Sequence, residues 1–99
     1  MSDKQERDDR FVGPVIKAGE MAEAVLEAVQ EDNEGRQILT EEHASYVRIW
    51  VMDECILNMD TVSRMLGRPI SIGDIEVNMP GFSGFIQTSQ SGIRFYAKH

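Results

Sequence analysis

Residues 45–52 have the sequence SYVRIWVM, the stretch that decides the fold of the chain. Successive side chains of a β-strand point to opposite faces of the sheet. One face of this strand is therefore aliphatic, with Val47, Ile49 and Val51. The opposite face carries Tyr46, Arg48, Trp50 and Met52. An aliphatic face must be covered by other elements, so the pattern predicts a sheet packed against helices.

Downstream of this strand, Asp53-Glu54 predicts a hairpin turn into a second strand at residues 55–58. A helix follows, with Asp60 as its N-cap and Gly67 as its end. Ser71 to Asp74 resembles a capping box that opens one more helical turn.

Two further strand-like stretches lie in the C-terminal part of the chain. After the Pro80-Gly81 turn, residues 82–88 and 93–98 predict two strands of a terminal hairpin.

Upstream of the first strand, apolar residues recur with helical spacing over residues 20–32, which predicts an amphipathic helix. Residues 36–40 predict a short strand. Residues 11–17 predict another, which we expect at a sheet edge or bulge because Pro14 has no N–H to donate.

These elements predict an α+β fold, a mostly antiparallel sheet with two main helices packed on it, in the order β-α-β-β-β-α-(α)-β-β. We expect one domain over residues 11–99. Residues 1–10 are charged and lack apolar residues after Met1, so they predict a flexible tail and not a signal peptide. With the single Cys55, this favours a cytoplasmic location.

Acidic residues dominate one part of the chain. The formal net charge is −7, and residues 20–42 hold eight acids against Arg36 alone. A partner rich in phosphate is therefore unlikely on electrostatic grounds, which argues against nucleic acid and anionic membrane surfaces. The acids predict either a solvated helix face or a patch that steers docking onto a basic partner.

The sequence contains no recognisable catalytic or cofactor motif. Cys55, His43 and His99 are too scattered for a zinc site, and the glycines match no phosphate-binding loop. We expect no catalytic residues, no metal and no cofactor. Docking onto another protein is then the leading hypothesis. A small carboxylate-based enzyme and a ligand-sensing regulatory domain are the alternatives.

Aromatic residues offer two interpretations. Trp50 shares a strand face with Tyr46 and Arg48, and these residue types are enriched at interface hot spots. The same side chains could form a second core layer beneath a helix. The aromatic residues of the terminal hairpin are expected to be mostly core.

Several stretches, taken in order, resemble one protein family. They are Val12-Gly13-Pro14-Val15-Ile16-Lys17-Ala18-Gly19, Tyr46-Val47-Arg48-Ile49, Leu66-Gly67-Arg68-Pro69, Ile75-Glu76-Val77-Asn78, Phe82-Ser83-Gly84 and Ile93-Arg94-Phe95-Tyr96. The chain resembles the effector, or coupling, proteins of multicomponent bacterial di-iron monooxygenases. The nearest resemblance is to toluene monooxygenase effectors. Phenol hydroxylase regulatory protein and methane monooxygenase component B are more distant.

This resemblance implies a non-catalytic protein that binds a di-iron hydroxylase and tunes its active site, oxygen activation and coupling to NADH. It implies an aromatic hydrocarbon as the substrate of the hydroxylase. It also implies that a Rieske-type ferredoxin uses an overlapping hydroxylase surface. We expect the partner interface to include Phe11, Val12, Gly13, Trp50, Met79, Phe82, Ser83, Gly84 and Arg94.

Overall fold

The computed structural model describes residues 9–97 and arranges them in two antiparallel sheets with helices packed between and beside them. The elements are β1 (Phe11–Lys17), α1 (Glu20–Asp32), β2 (Ile38–Glu42), β3 (Tyr46–Met52), β4 (Glu54–Asn58), α2 (Met59–Leu66), α3 (Ile72–Glu76), β5 (Gly81–Ser83), β6 (Phe85–Thr88) and β7 (Gly92–Tyr96). The predicted α+β class with two main helices is confirmed. Most of the predicted tail, residues 1–8, lies outside the described residues, as do Lys98 and His99.

The four-stranded sheet has the order β2-β3-β1-β5. The predicted alternation of β3 is confirmed, since Val47, Ile49 and Val51 belong to the buried core cluster. The prediction of an edge position for Pro14 is wrong, because β1 lies inside the sheet. The ladder of β1 with β3 has pairs at Val12 and Val15 but none between them. This interruption accommodates a proline without an N–H.

The three-stranded sheet has the order β4-β7-β6. The predicted hairpin at Asp53-Glu54 is therefore wrong, because β3 pairs with β1 and β2 while β4 pairs with β7. Asp53 has a positive φ of 71° and turns the chain from one sheet into the other. The pairing of β6 with β7 confirms the hairpin across Ser89–Gly92.

The predicted strand at residues 82–88 is divided at Gly84. Its first part, β5, pairs with β1, whereas its second part, β6, pairs with β7. The chain thus contains one more strand than expected. Gly84 has φ +93°, a conformation that interrupts a strand.

The two main helices pack against each other and against both sheets. Ala22, Val25 and Val29 of α1 are buried, as the helical spacing predicts. Helix α2 begins two residues earlier than predicted, with Asn58 and not Asp60 at its N-cap, and Gly67 ends it in the left-handed conformation. The capping box of α3 is confirmed. Within residues 9–97, no helix is long and apolar enough to cross a membrane.

Candidate partner-docking surface

Seven of the nine predicted interface residues meet where β3, β1 and β5 lie side by side. Gly13 pairs with Ser83, and Pro14 pairs with Phe82. The register of β1 with β3 places Gly13 opposite Trp50. Met79 is half-buried just before β5, while Arg94 lies on β7 in the other sheet.

Gly13 and Trp50 are both enclosed in this region. Gly13 is buried with φ +151°, and a Cβ at this position would collide with the carbonyl oxygen of Ile49. Trp50 is only 6% exposed but does not belong to the core cluster that α1 covers. Gly13 and Trp50 therefore shape the face of the sheet opposite the one that α1 covers. Val12, in contrast, is fully buried in the core.

Exposed apolar side chains are confined to one segment. Among the described residues, the large hydrophobic side chains that are exposed are Val77 at 72%, Phe82 at 42% and Phe85 at 44%. All three lie within residues 77–85, which we name the docking segment. An apolar patch exposed in one place indicates an interaction site.

Contacts with buried or half-buried aromatic residues hold the two phenyl rings in place. The ring centroids of Phe82 and the buried Phe95 are 5.8 Å apart, and those of Phe85 and Tyr96 are 5.7 Å apart. The expectation that Phe82 and Phe85 lie mostly in the core is wrong for both. Sequence reasoning gave no role on the surface to Phe85 or Val77. The signal that could have shown the exposure of Phe85 is its position next to Gly84, the glycine that divides the strand.

Gly84 is where the docking segment passes between the two sheets. A Cβ on this residue would lie 2.5 Å from Cγ1 of Val12 and 2.8 Å from the carbonyl oxygen of Tyr96. No side chain fits there, so the backbone approaches both sheets closely. Phe82 and Phe85 lie on either side of this crossing.

Arg94 has a structural environment that differs from the rest of the predicted interface. Its Nε donates to Glu54 and its guanidinium lies 4.4 Å from the centroid of the Tyr96 ring. Glu54 also pairs with Arg36 at 3.4 Å. Arg94 also lines a surface depression of about 270 Å³, together with residues that include Ile56, Gln87 and Ser91. The charge of Arg94 is thus already compensated within the chain.

The acidic segment predicted from the sequence is partly neutralised by α2 and the residues after it. Arg64 pairs with Glu31 at 2.6 Å, and Arg68 pairs with Glu20 at 2.8 Å. The hydrogen bond from Arg64 lowers the pKa of Glu31, and the same bond raises the pKa of Arg64. These pairs sit at the surface, where each contributes little to stability.

The described residues hold no arrangement suited to chemistry on a substrate. Cys55 is buried, and desolvation raises the pKa of its thiol to about 12, so that it stays protonated and unreactive. Within residues 9–97, no group of three His, Cys, Asp or Glu side chains could hold a metal ion. The surface instead carries an exposed apolar segment that two sheets support, a feature typical of a binding protein.

The family of the chain follows from comparison with known proteins. The MmoB/DmpM family model matches residues 10–96, so the chain belongs to the MmoB/DmpM family. Members of this family are non-catalytic regulatory, or effector, components of multicomponent monooxygenases, and this chain is such a component and not an enzyme.

Similar proteins include one curated relative and two solved structures. The effector subunit of the alkene monooxygenase system of Xanthobacter autotrophicus is 40% identical over 91 residues, which span 92% of this chain and 90% of that protein. A phenol hydroxylase–regulatory protein complex contains a chain with a TM-score of 0.74 and 18% identity, covering 89% of this chain and 98% of that one. A second such structure has a TM-score of 0.68 and 20% identity, covering 87% and 95%. At this identity the structures show a shared fold.

Proposed function

We propose that the chain binds the di-iron hydroxylase of a multicomponent monooxygenase through the docking segment and thereby controls the reactivity of the hydroxylase. The observation that carries this proposal is the confinement of the exposed large hydrophobic side chains to residues 77–85. Support for the partner comes from the family and from the solved complex of a regulatory protein with phenol hydroxylase.

The predicted interface residues divide into two roles in this proposal. Phe11, Met79, Phe82 and Ser83 contact the hydroxylase, together with Val77 and Phe85, which the sequence did not indicate. Val12, Gly13 and Trp50 are buried and instead hold the surface in shape, as does the exposed Gly84, whose backbone approaches both sheets closely. Arg94 supports the adjoining sheet.

An effector acts on its partner by shifting a conformational equilibrium. Such a shift requires that the effector bind one hydroxylase conformation better than another. Burying the exposed parts of Val77, Phe82 and Phe85 would contribute roughly 2–5 kcal/mol. Moving an equilibrium from 1:99 to 99:1 needs about 5.5 kcal/mol. Contacts of this size, made in one conformation only, would therefore supply much of such a shift without any chemistry in the effector, and the other interface contacts would supply the rest.

The proposal includes the other partners expected from the sequence. A Rieske-type ferredoxin that uses an overlapping hydroxylase surface would compete with this chain, so excess effector would slow electron transfer. A cytoplasmic location follows from the supply of NADH.

The test is reconstitution of the cognate hydroxylase, ferredoxin and reductase with increasing amounts of this chain. We expect product formed per NADH consumed to rise up to stoichiometric addition, and the rate of turnover to fall when effector is in excess. An unchanged rate and an unchanged coupling across the titration would contradict the proposal.

The same assay addresses the substrate class. The resemblance of the sequence favours toluene-type substrates, whereas the relative from Xanthobacter serves an alkene monooxygenase. Offering toluene and a short alkene in parallel shows which substrate the effector couples to NADH consumption. Coupling to the alkene alone would exclude the aromatic assignment.

Substitutions distinguish residues that contact the hydroxylase from residues that hold the surface in shape. Phe85→Ala should weaken hydroxylase binding at least about tenfold while the melting temperature changes little, because this ring is exposed. Trp50→Ala should lower the melting temperature, because the side chain is buried. If Phe85→Ala binds as well as the wild type, the docking segment is not the interface.

A further inference from the structure

Arg48 differs from the other arginines that the structure describes. Residues 9–97 contain six arginines, and five of them pair with a carboxylate: Arg10 with Asp53, Arg36 and Arg94 with Glu54, Arg64 with Glu31, and Arg68 with Glu20. Within that range Arg48 makes no ion pair and no hydrogen bond through its side chain, and its Nε is buried without a partner. In a chain with 17 acids this is an exception that needs a physical reason.

The carboxylate closest in register to Arg48 is engaged elsewhere. Glu41 of β2 lies directly across from Arg48. Its Oε1 atom is 3.0 Å from Nε2 of His43, and the His43 ring stacks on Tyr46 with centroids 4.4 Å apart. The sheet therefore contains a cross-strand acid that could neutralise Arg48 but is directed away from it.

The guanidinium of Arg48 is held in place by the indole of Trp50. Its Cζ atom lies 5.0 Å from the centroid of the ring, a favourable cation–π distance. Nε is the only buried nitrogen of Arg48 without a partner, so its two Nη groups reach the surface. A planar, oriented pair of N–H donors matches the two oxygens of a carboxylate.

Arg48 also lies close, within the sheet, to the backbone of the docking segment. Val15 of β1 pairs with Arg48 on one side and with Gly81, in the docking segment, on the other. Neighbouring strands are about 4.8 Å apart, so roughly 10 Å separates Arg48 from Gly81 across the sheet. One partner surface can cover both.

We infer that Arg48 is a specificity-determining residue of the docking surface, which receives an aspartate or glutamate side chain of the hydroxylase on its oriented guanidinium. This inference rests on the proposed function and adds the chemistry of one contact. The carboxylate of the partner would supply the ion pair that Glu41 does not form with Arg48. Trp50, buried beneath the guanidinium, acts as the positioning residue.

The test compares Arg48→Gln with Arg68→Gln in binding to the cognate hydroxylase at several salt concentrations. Both variants remove one positive charge, but Arg68 already pairs with Glu20 at the surface. We expect Arg48→Gln to raise Kd at least about tenfold and to flatten its salt dependence, and Arg68→Gln to stay within about twofold of wild type. Equal effects of the two variants would overturn the inference.

A second variant keeps the inference falsifiable if Arg48→Gln loses stability. Arg48→Lys retains the charge and loses the planar fork, so we expect an intermediate loss of affinity. Wild-type affinity for Arg48→Lys would overturn the proposed carboxylate contact, as would a lower melting temperature of Arg48→Gln with unchanged Kd. Failure of the wild-type chain to bind the hydroxylase would instead contradict the proposed function itself.

Discussion

Two regions of the molecule differ in how their sheet edges are covered. At β4, the side chain of Asn33 acts like a neighbouring strand, because its Nδ2 donates to Ile56 O and its Oδ1 accepts from Ile56 N, each at 2.8 Å. Asp32 accepts from Asn58 N and from Thr61 Oγ1. At residues 81–88, the edge carries no charged residue, and two phenyl rings are exposed.

The difference shows how the chain separates stability from binding. Edge strands invite pairing with other chains, and proteins usually close or charge them. Here one edge is closed by hydrogen bonds, most of them partly buried, that join the end of α1 to β4 and α2. The other is left open and apolar beside the surface that we propose for docking. Changes at the first edge should therefore affect folding, and changes at the second should affect binding.

The largest effect is expected from Asn33→Ala. Asn33 is 3% exposed, and its loss would leave the backbone groups of Ile56 and the carbonyl of Val29 short of partners. We expect a destabilisation of about 3 kcal/mol and a melting temperature lower by roughly 10–20 °C in a thermal melt. Asn58→Ala is the control and should change little, because this exposed amide on the same strand makes no side-chain capping hydrogen bond to α2. Similar melting of both variants would contradict the role of Asn33 at the edge.

The second-largest effect is expected from a substitution of Gly84, which tests the open edge. Gly84→Ala forces a Cβ against Val12 and the Tyr96 carbonyl at φ +93°. We expect a destabilisation of about 2 kcal/mol by denaturant unfolding, together with weaker hydroxylase binding, because Phe85 must shift. Gly81→Ala is the control for stability, since a Cβ there has nothing within 4 Å. A fully stable Gly84→Ala would show that the crossing can relax.

Cys55 reports whether the closed edge opens. Its thiol is buried and its pKa is raised to about 12 by desolvation, so an alkylating reagent at pH 8 should modify it only when β4 opens. A loss of about 3 kcal/mol in Asn33→Ala should speed modification by roughly 100-fold, as mass spectrometry can follow. Asn58→Ala should react like the wild type. Rapid labelling of the wild type would contradict the closed edge.

The smallest effect is expected at Glu31, on the exposed side of α1. Arg64 lowers the pKa of Glu31, so the pair stabilises the fold above the ordinary pKa of 4.5 and this contribution is lost as the pH falls below it. Glu31→Gln should therefore remove a small part of the acid dependence of the melting temperature and change little at pH 7. Glu27→Gln, on the same helix, is the control. Identical acid profiles of wild type and Glu31→Gln would exclude the effect.

Local sequence patterns predicted most of the elements but not how they pair. The alternation of β3 and the left-handed end of α2 at Gly67 follow from single residues and their neighbours, and both are confirmed. The hairpin at Asp53 was wrong because a polar pair marks a turn without specifying which sheet comes next. Asn33 directly follows the helix predicted over residues 20–32, and its bond to Ile56, 23 positions away, has no local signal.

The proposed docking surface was only partly accessible to sequence reasoning for the same reason. Phe82 and Gly84 were found through the family resemblance. Phe85 and Arg48 required the structure, because exposure and a missing ion pair depend on elements distant in sequence.

By itself, the sequence determined the class of fold, the positions of the main helices and strands, and the family. Those properties depend on periodicity and on residues adjacent along the chain. Only the tertiary structure decided that β3 and β4 enter different sheets, that Gly84 divides a strand between them, and that Arg48 forms no ion pair with another residue of the described range 9–97. Each of these depends on contacts among segments that meet only after folding, when the burial of one group determines which partners remain for the next.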